Sequence, residues 1–165
     1  MVHVFTGEGV LKVDAKGRVS IPADYRAVLR QADPNWSENK LPEFKIVYGD
    51  HRRNFLECFT IEAAQEVSAR IAALPRGSVE RRAAERTFNG QAIMATVDNT
   101  GRIVLPQKLR DKLDIQDEAY FIAMSDTFQI WKPETYNVAE TPVDEYLDSL
   151  GDADIWTVLE GGEAR

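Results

Sequence analysis

The sequence predicts an α+β fold made of two tandem βαββ-type units, with amphipathic helix following each. Three observations predict it: one turn-and-strand motif occurs twice, the same order of helix and strand candidates follows each copy, and a helical apolar rhythm follows the first unit.

The motif reads VDAKGRVSIP at 13–22 and VDNTGRIVLP at 97–106, an offset of 84 residues. Aligned without gaps, 13–29 and 97–113 share Val, Asp, Gly, Arg, Pro, Arg and Leu, seven of 17 positions. Average composition would give roughly one such identity, so the segment is duplicated. D-x-x-G-R specifies a chain reversal. Asp14 and Asp98 can accept backbone N–H bonds two residues on, and Gly17 and Gly101 supply the positive φ that closes the bend. Arg18 and Arg102 then stand where a new strand leaves the turn, and Pro22 and Pro106 end that strand where proline suits a first helical turn.

Short helix candidates follow at 23–30 and 107–113. Apolar strand candidates come next, at 44–48 and 54–59 in the first unit and at 119–123 and 127–131 in the second. Apolar or small residues at Ile61, Ala64, Val67, Ser68, Ile71 and Leu74 predict an amphipathic helix over 61–74, ended by Pro75 and Gly77. ERRAAERT at 80–87 predicts a further short helix. Residues 31–43, with Pro34 and Pro42 and no periodicity, form an insertion in the first unit. The expected division is a first unit at 5–60, a helical connector at 61–87, a second unit at 88–134 and an acidic tail at 135–165. A helical patch at 143–150 in that tail gives way to expected disorder toward GGEAR.

Cys58 is the only cysteine, and His3 and His51 are the only histidines. One chain can therefore assemble neither a disulfide framework nor a Cys/His metal cluster, and no metal or cofactor is expected. The composition fits a reducing compartment. No stretch approaches the ~20 apolar residues of a membrane span, and the start lacks the basic-then-apolar order of a secretory signal. A soluble, unprocessed chain with no membrane role is expected. The net charge of −7 is unevenly spread: 18 Lys/Arg face 14 Asp/Glu in 1–113, against 2 and 13 in 114–165. Acidity belongs to the C-terminal part, whose simplest role is solubility or keeping like-charged surfaces apart.

Two roles stay open for the turn arginines. An Asp–Arg pair across a turn is a surface ion pair that stabilises by ~0–1 kcal/mol. A strand-borne arginine at the tip of a ribbon also suits a major groove, where its planar fork bridges O6 and N7 of guanine or grips a phosphate. The two are compatible. Arg52, Arg53, Arg76, Arg81, Arg82 and Arg86 are secondary phosphate candidates, although alternating signs in ERRAAER read more simply as a solvated helix face. Phe121, Phe128 and Trp131 read as core. An enzyme fits worst, since Cys58 lies among large apolar neighbours and His51 has no evident orienting partner.

FTGEGVLKVDAKGRVSIPADYR, RTFNGQAIMATVDNTGRIVLPQKLR and the closing FQIWKPETY together resemble the MraZ family of bacterial transcriptional regulators, over residues 5–136. The resemblance implies two AbrB-like (SpoVT-AbrB) units forming a pseudo-two-fold swapped-hairpin barrel. It also implies a cytoplasmic, nucleoid-associated protein that binds double-stranded DNA at repeated elements in the promoter of its own division and cell-wall gene cluster. Such a protein would act as a repressor and as a ring-like homo-oligomer. Carried over by position, the DNA contacts would be Lys16, Gly17, Arg18, Thr100, Gly101 and Arg102, with Asp14 and Asp98 as supports. The insertion at 31–43 departs from the family pattern, as do Ala123 and Met124 where a glycine is more usual, and the acidic tail lies outside the match. The rival reading, favoured by the overall acidity, is an oligomeric assembly module that does not bind DNA.

Overall fold

A computed structural model describes residues 3–163. Each copy of the repeat folds as two strands, a helix and two more strands. The first copy forms β1 (Glu8–Lys12), β2 (Arg18–Ser20), α1 (Ala23–Gln31), β3 (Glu43–Val47) and β4 (Phe55–Thr60). The second forms β5 (Ala92–Thr96), β6 (Arg102–Val104), α4 (Gln107–Leu113), β7 (Glu118–Met124) and β8 (Thr127–Trp131). The expected βαββ order therefore gains one strand ahead of each turn.

Between the copies run α2 (Ile61–Ala72), α3 (Val79–Glu85) and a π-helical turn at Arg86–Gly90. Side-chain caps set both helix starts: Thr60 Oγ1 accepts from the Ala63 amide at 3.0 Å, and Ser78 Oγ from the Arg81 amide at 3.1 Å. Residues 31–43 contribute only the ends of α1 and β3 to regular structure, and between them the segment runs as turns.

The strand pairing interleaves the two copies. Six antiparallel strands lie in the order β1-β7-β8-β4-β3-β5, while β2 and β6 pair only with each other. β1 of the first copy thus lies on β7 of the second, and β5 of the second on β3 of the first. Exchanging the copies maps this order onto itself about the central β4–β8 pair. A closed barrel was expected; instead β1 and β5 remain edges, because the short strands that could have continued from them form a separate ribbon.

The pleat places two clusters on opposite faces of the large sheet. Phe44 and Ile46 of β3 and Leu56 and Cys58 of β4 join the main core with Val19 of β2, Leu29 of α1, Ile103 of β6 and Leu109 of α4. Val47 and Phe59 point the other way and pack with Ala63 and Ile71 of α2 and with Phe88 of the π turn. The β2–β6 ribbon, α1 and α4 therefore cover one face of the sheet, and the α2–α3 hairpin covers the other. Phe121, Phe128 and Trp131 are buried, as expected for core.

Beyond Pro133 the chain forms a separate compact unit. It contains α5 (Pro133–Ser149), with Pro142 inside it, and α6 (Ile155–Glu163). Helix thus begins ten residues ahead of the expected patch at 143–150 and extends into GGEAR. Residues 164 and 165 of the segment expected to be disordered lie outside the described residues. No helix among the described residues is long and apolar enough to cross a membrane.

Candidate nucleic-acid interface

The two D-x-x-G-R segments fold into matching turns. At the first, Asp14 Oδ1 accepts from the amides of Lys16 and Arg18, both at 2.9 Å, and the Gly17 amide donates to Asp14 O at 2.9 Å. At the second, Asp98 Oδ1 accepts from the amides of Thr100 at 2.8 Å and Arg102 at 2.9 Å, and the Gly101 amide donates to Asp98 O at 3.0 Å. Gly17 has φ +84° and Gly101 +81°, the left-handed region that glycine enters without strain.

The carboxylates also engage the arginines. Arg18 Nε donates to Asp14 Oδ2 at 2.6 Å, and Arg102 Nε to Asp98 Oδ2 at 3.3 Å. The backbone amide of Arg18 is the main cause holding the Asp14 carboxyl down to about 2, with the Arg18 guanidinium next. The Arg102 amide, followed by the Thr100 hydroxyl, holds Asp98 down to about 2. Both carboxylates are thus ionised at neutral pH and fix the Nε edge of each guanidinium. Among the described residues, no hydrogen bond engages the Nη groups of either arginine.

Ribbon register brings the arginines together. Arg18 stands opposite Val104 and Ser20 opposite Arg102, so all four side chains share the outer face, while Val19 and Ile103 are fully buried beneath them. Diagonal neighbours of this kind lie roughly 7–8 Å apart. Lys16 and Thr100 are exposed at the two turn tips, and Arg18 and Arg102 are each about one-third exposed. A groove of about 840 Å³ beside the ribbon contains both arginines, with Lys12, Asp14, Asp117 and Glu118 on its walls. Its charges balance, with Lys12, Arg18 and Arg102 against Asp14, Asp117 and Glu118.

Gly17 and Gly101 are placed differently from the exposed residues: both are buried. A methyl group on Gly17 would lie 3.0 Å from Arg110 Nε, and one on Gly101 would lie 2.4 Å from Arg26 Nη1. Each bend is therefore covered by an arginine from the helix of the other copy. Backbone bonds close the same junctions, with the Leu105 amide donating to Gly17 O at 2.7 Å and the Ile21 amide to Gly101 O at 3.1 Å. Arg26 and Arg110 occupy one of the seven shared positions, but no residue near them in sequence points to this covering role.

Other candidates take structural places. Cys58 is fully buried, and burial pushes its thiol well above the ordinary value. His51 is exposed in the β3–β4 loop. Arg52 pairs with Asp50 at 2.6 Å and Arg53 with Glu57 at 2.9 Å.

Comparison with known proteins gives first the class: the similar curated proteins are transcriptional regulators. "Transcriptional regulator MraZ" of Ruegeria sp. (strain TM1040) is 60% identical, with 90% of this chain and 89% of that one covered. Its namesake in Ruegeria pomeroyi is 56% identical, covering 98% of both chains, and that of Cereibacter sphaeroides (strain ATCC 17029 / ATH 2.4.9) is 41% identical, covering 97% and 98%. The family model for the MraZ protein matches residues 88–145. The chain belongs to the MraZ family, as a transcription regulator.

Proposed function

We propose that the chain regulates transcription by binding double-stranded DNA in a sequence-specific way through its D-x-x-G-R turns. The observation that carries this reading is the shared outer face of Arg18 and Arg102, each anchored at Nε by an aspartate. A major groove admits a two-stranded ribbon, and an arginine with free Nη groups can bridge O6 and N7 of guanine. A diagonal spacing of roughly 7–8 Å corresponds to about two base-pair steps of ~3.4 Å, so the pair addresses positions about two apart. Lys16 and Thr100 flank this face as phosphate contacts. Gly17 and Gly101 set the bend, and Asp14 and Asp98 set the direction of the arginines.

One ribbon discriminates weakly, since a bidentate base contact is worth only ~1–3 kcal/mol. Several copies in a ring-like homo-oligomer would meet several promoter elements with later contacts made effectively intramolecular. The AbrB-like resemblance supports such a frame. In this reading the protein is cytoplasmic and nucleoid-associated, and it represses its own division and cell-wall gene cluster.

Closure of each Asp–Arg pair within its own turn favours the second reading, an assembly module whose turns are structural. Footprinting on the DNA upstream of its own coding region separates the two. Regularly spaced protected elements are expected; absence of specific protection at low salt overturns DNA binding, and a single element overturns the multivalent reading.

A further inference from the structure

The α2–α3 hairpin carries an uncompensated basic groove. A groove of about 670 Å³ is lined by Arg76, Arg81, Arg82 and Arg86 together with Val79 and Glu85. Arg81 is already engaged, pairing with Glu85 at 3.5 Å and donating to Ala72 O and Leu74 O at 3.3 Å each. Glu85 also accepts from Asn89 Nδ2 at 2.8 Å. Among the described residues, no hydrogen bond or ion pair engages the side chains of Arg76, Arg82 or Arg86. Apolar surface accompanies the charge: Val79 is 68% exposed, and a second groove on α2 is lined by Val67, Ile71 and Leu74 with Arg70.

The C-terminal helices have the complementary character. Residues 134–163 hold nine carboxylates and no Lys or Arg. On α5, Val143, Tyr146 and Leu147 repeat at helical spacing and are each nearly half exposed, beside Asp144, Glu145 and Asp148. On α6, Trp156 is 67% exposed and Leu159 57%. Apolar side chains grouped on an exposed helix face offer an interaction surface. Two such stripes would not pair with each other, because their carboxylates repel.

We propose that the acidic, apolar-striped α5–α6 segment of one copy docks on the basic α2–α3 groove of a second copy. Charge complementarity selects this occupant, with Arg76, Arg82 and Arg86 meeting Asp144, Glu145 and Asp148 while Trp156 and Tyr146 cover Val79 and the apolar groove beside it. DNA is the weaker occupant, since the groove and the Arg18–Arg102 ribbon lie on opposite faces of the large sheet and one duplex would have to serve both. The proposal rests on self-association of the chain and specifies its interface.

The test uses two full-length variants, Arg82→Glu with Arg86→Glu, and Glu145→Lys with Asp148→Lys, all at exposed positions. Circular dichroism first establishes that both are folded, and sedimentation velocity then follows assembly. Each variant alone should associate roughly tenfold or more weakly than the unaltered chain. An equimolar mixture should regain assembly, because the acidic groove of one accepts the basic tail of the other. Assembly by either variant alone at the unaltered strength, or a mixture that stays dissociated, overturns the proposal. So does a groove variant that assembles normally but binds DNA with a shallower salt dependence. An unaltered chain that stays monomeric overturns self-association itself, whereas variants that assemble as the unaltered chain does overturn only the docking site.

Discussion

The guanidinium of Arg110 lies across Gly17, 93 residues earlier, and its Nε donates to Leu105 O at 2.9 Å. The same carbonyl would stand 2.2 Å from a methyl group on Gly17. The bend that positions Arg18 is therefore closed from the other copy of the repeat, by backbone as well as by side chain. At Gly101 the three nearest atoms all belong to the Arg26 side chain.

This asymmetry ranks two substitutions. Gly17→Ala combines a left-handed φ with a clash against fixed backbone and should cost more than about 2 kcal/mol. Gly101→Ala meets a guanidinium that can swing away and should cost about 1–2 kcal/mol. Urea unfolding of both variants measures the difference; equal losses would mean that Leu105 O yields as readily as a side chain.

The covering arginines should differ too. Arg110→Ala frees a carbonyl that the side chain now bonds, a loss of about 0.5–1.5 kcal/mol. Among the described residues the buried Arg26 Nε has no hydrogen-bond partner, so Arg26→Ala should cost less. Hydrogen exchange at the Leu105 amide, which bonds Gly17 O, should quicken in Arg110→Ala and stay near its original rate in Arg26→Ala.

Acid should loosen both turns over one pH window. Asp14 and Asp98 are held at about 2 in the folded chain against an ordinary 3.8, so folding favours their ionised forms. Their contribution is complete above about pH 4 and is lost as pH falls toward 2, where the folded-state carboxyls take up protons. Carboxyl carbon shifts followed by NMR should show midpoints near 2. Midpoints near 3.8 would mean that the turn amides do not bind these groups in solution.

The turns were legible because the bonds among Asp, Gly and Arg that shape them fall within five residues, and each of the three has one local task there. The helix at 107–113 and the strand at 127–131 occupy the expected residues, since their apolar patterns face a single core. β1 and β5 were harder to read: burial alternates along these edge strands, but the residues EGVLK and AIMAT do not alternate polar with apolar. Strand exchange between the copies was not legible at all, because nothing local in Leu11 or Ala119 states that they will pair. For the same reason the shared Arg26 and Arg110 could be counted but given no task. α5 runs through Pro142, although proline's missing N–H and fixed φ disfavour a helix interior.

Fluorescence anisotropy with DNA from upstream of the coding region, comparing the unaltered chain with Arg18→Ala combined with Arg102→Ala, tests the role of the ribbon most directly. The double variant should fold and assemble normally yet lose about 2–6 kcal/mol of affinity for that DNA, from two base contacts. Its log–log salt dependence should resemble that of the unaltered chain on random DNA. Specific binding retained at full strength by a folded, assembled double variant would contradict a ribbon that reads DNA through these two arginines.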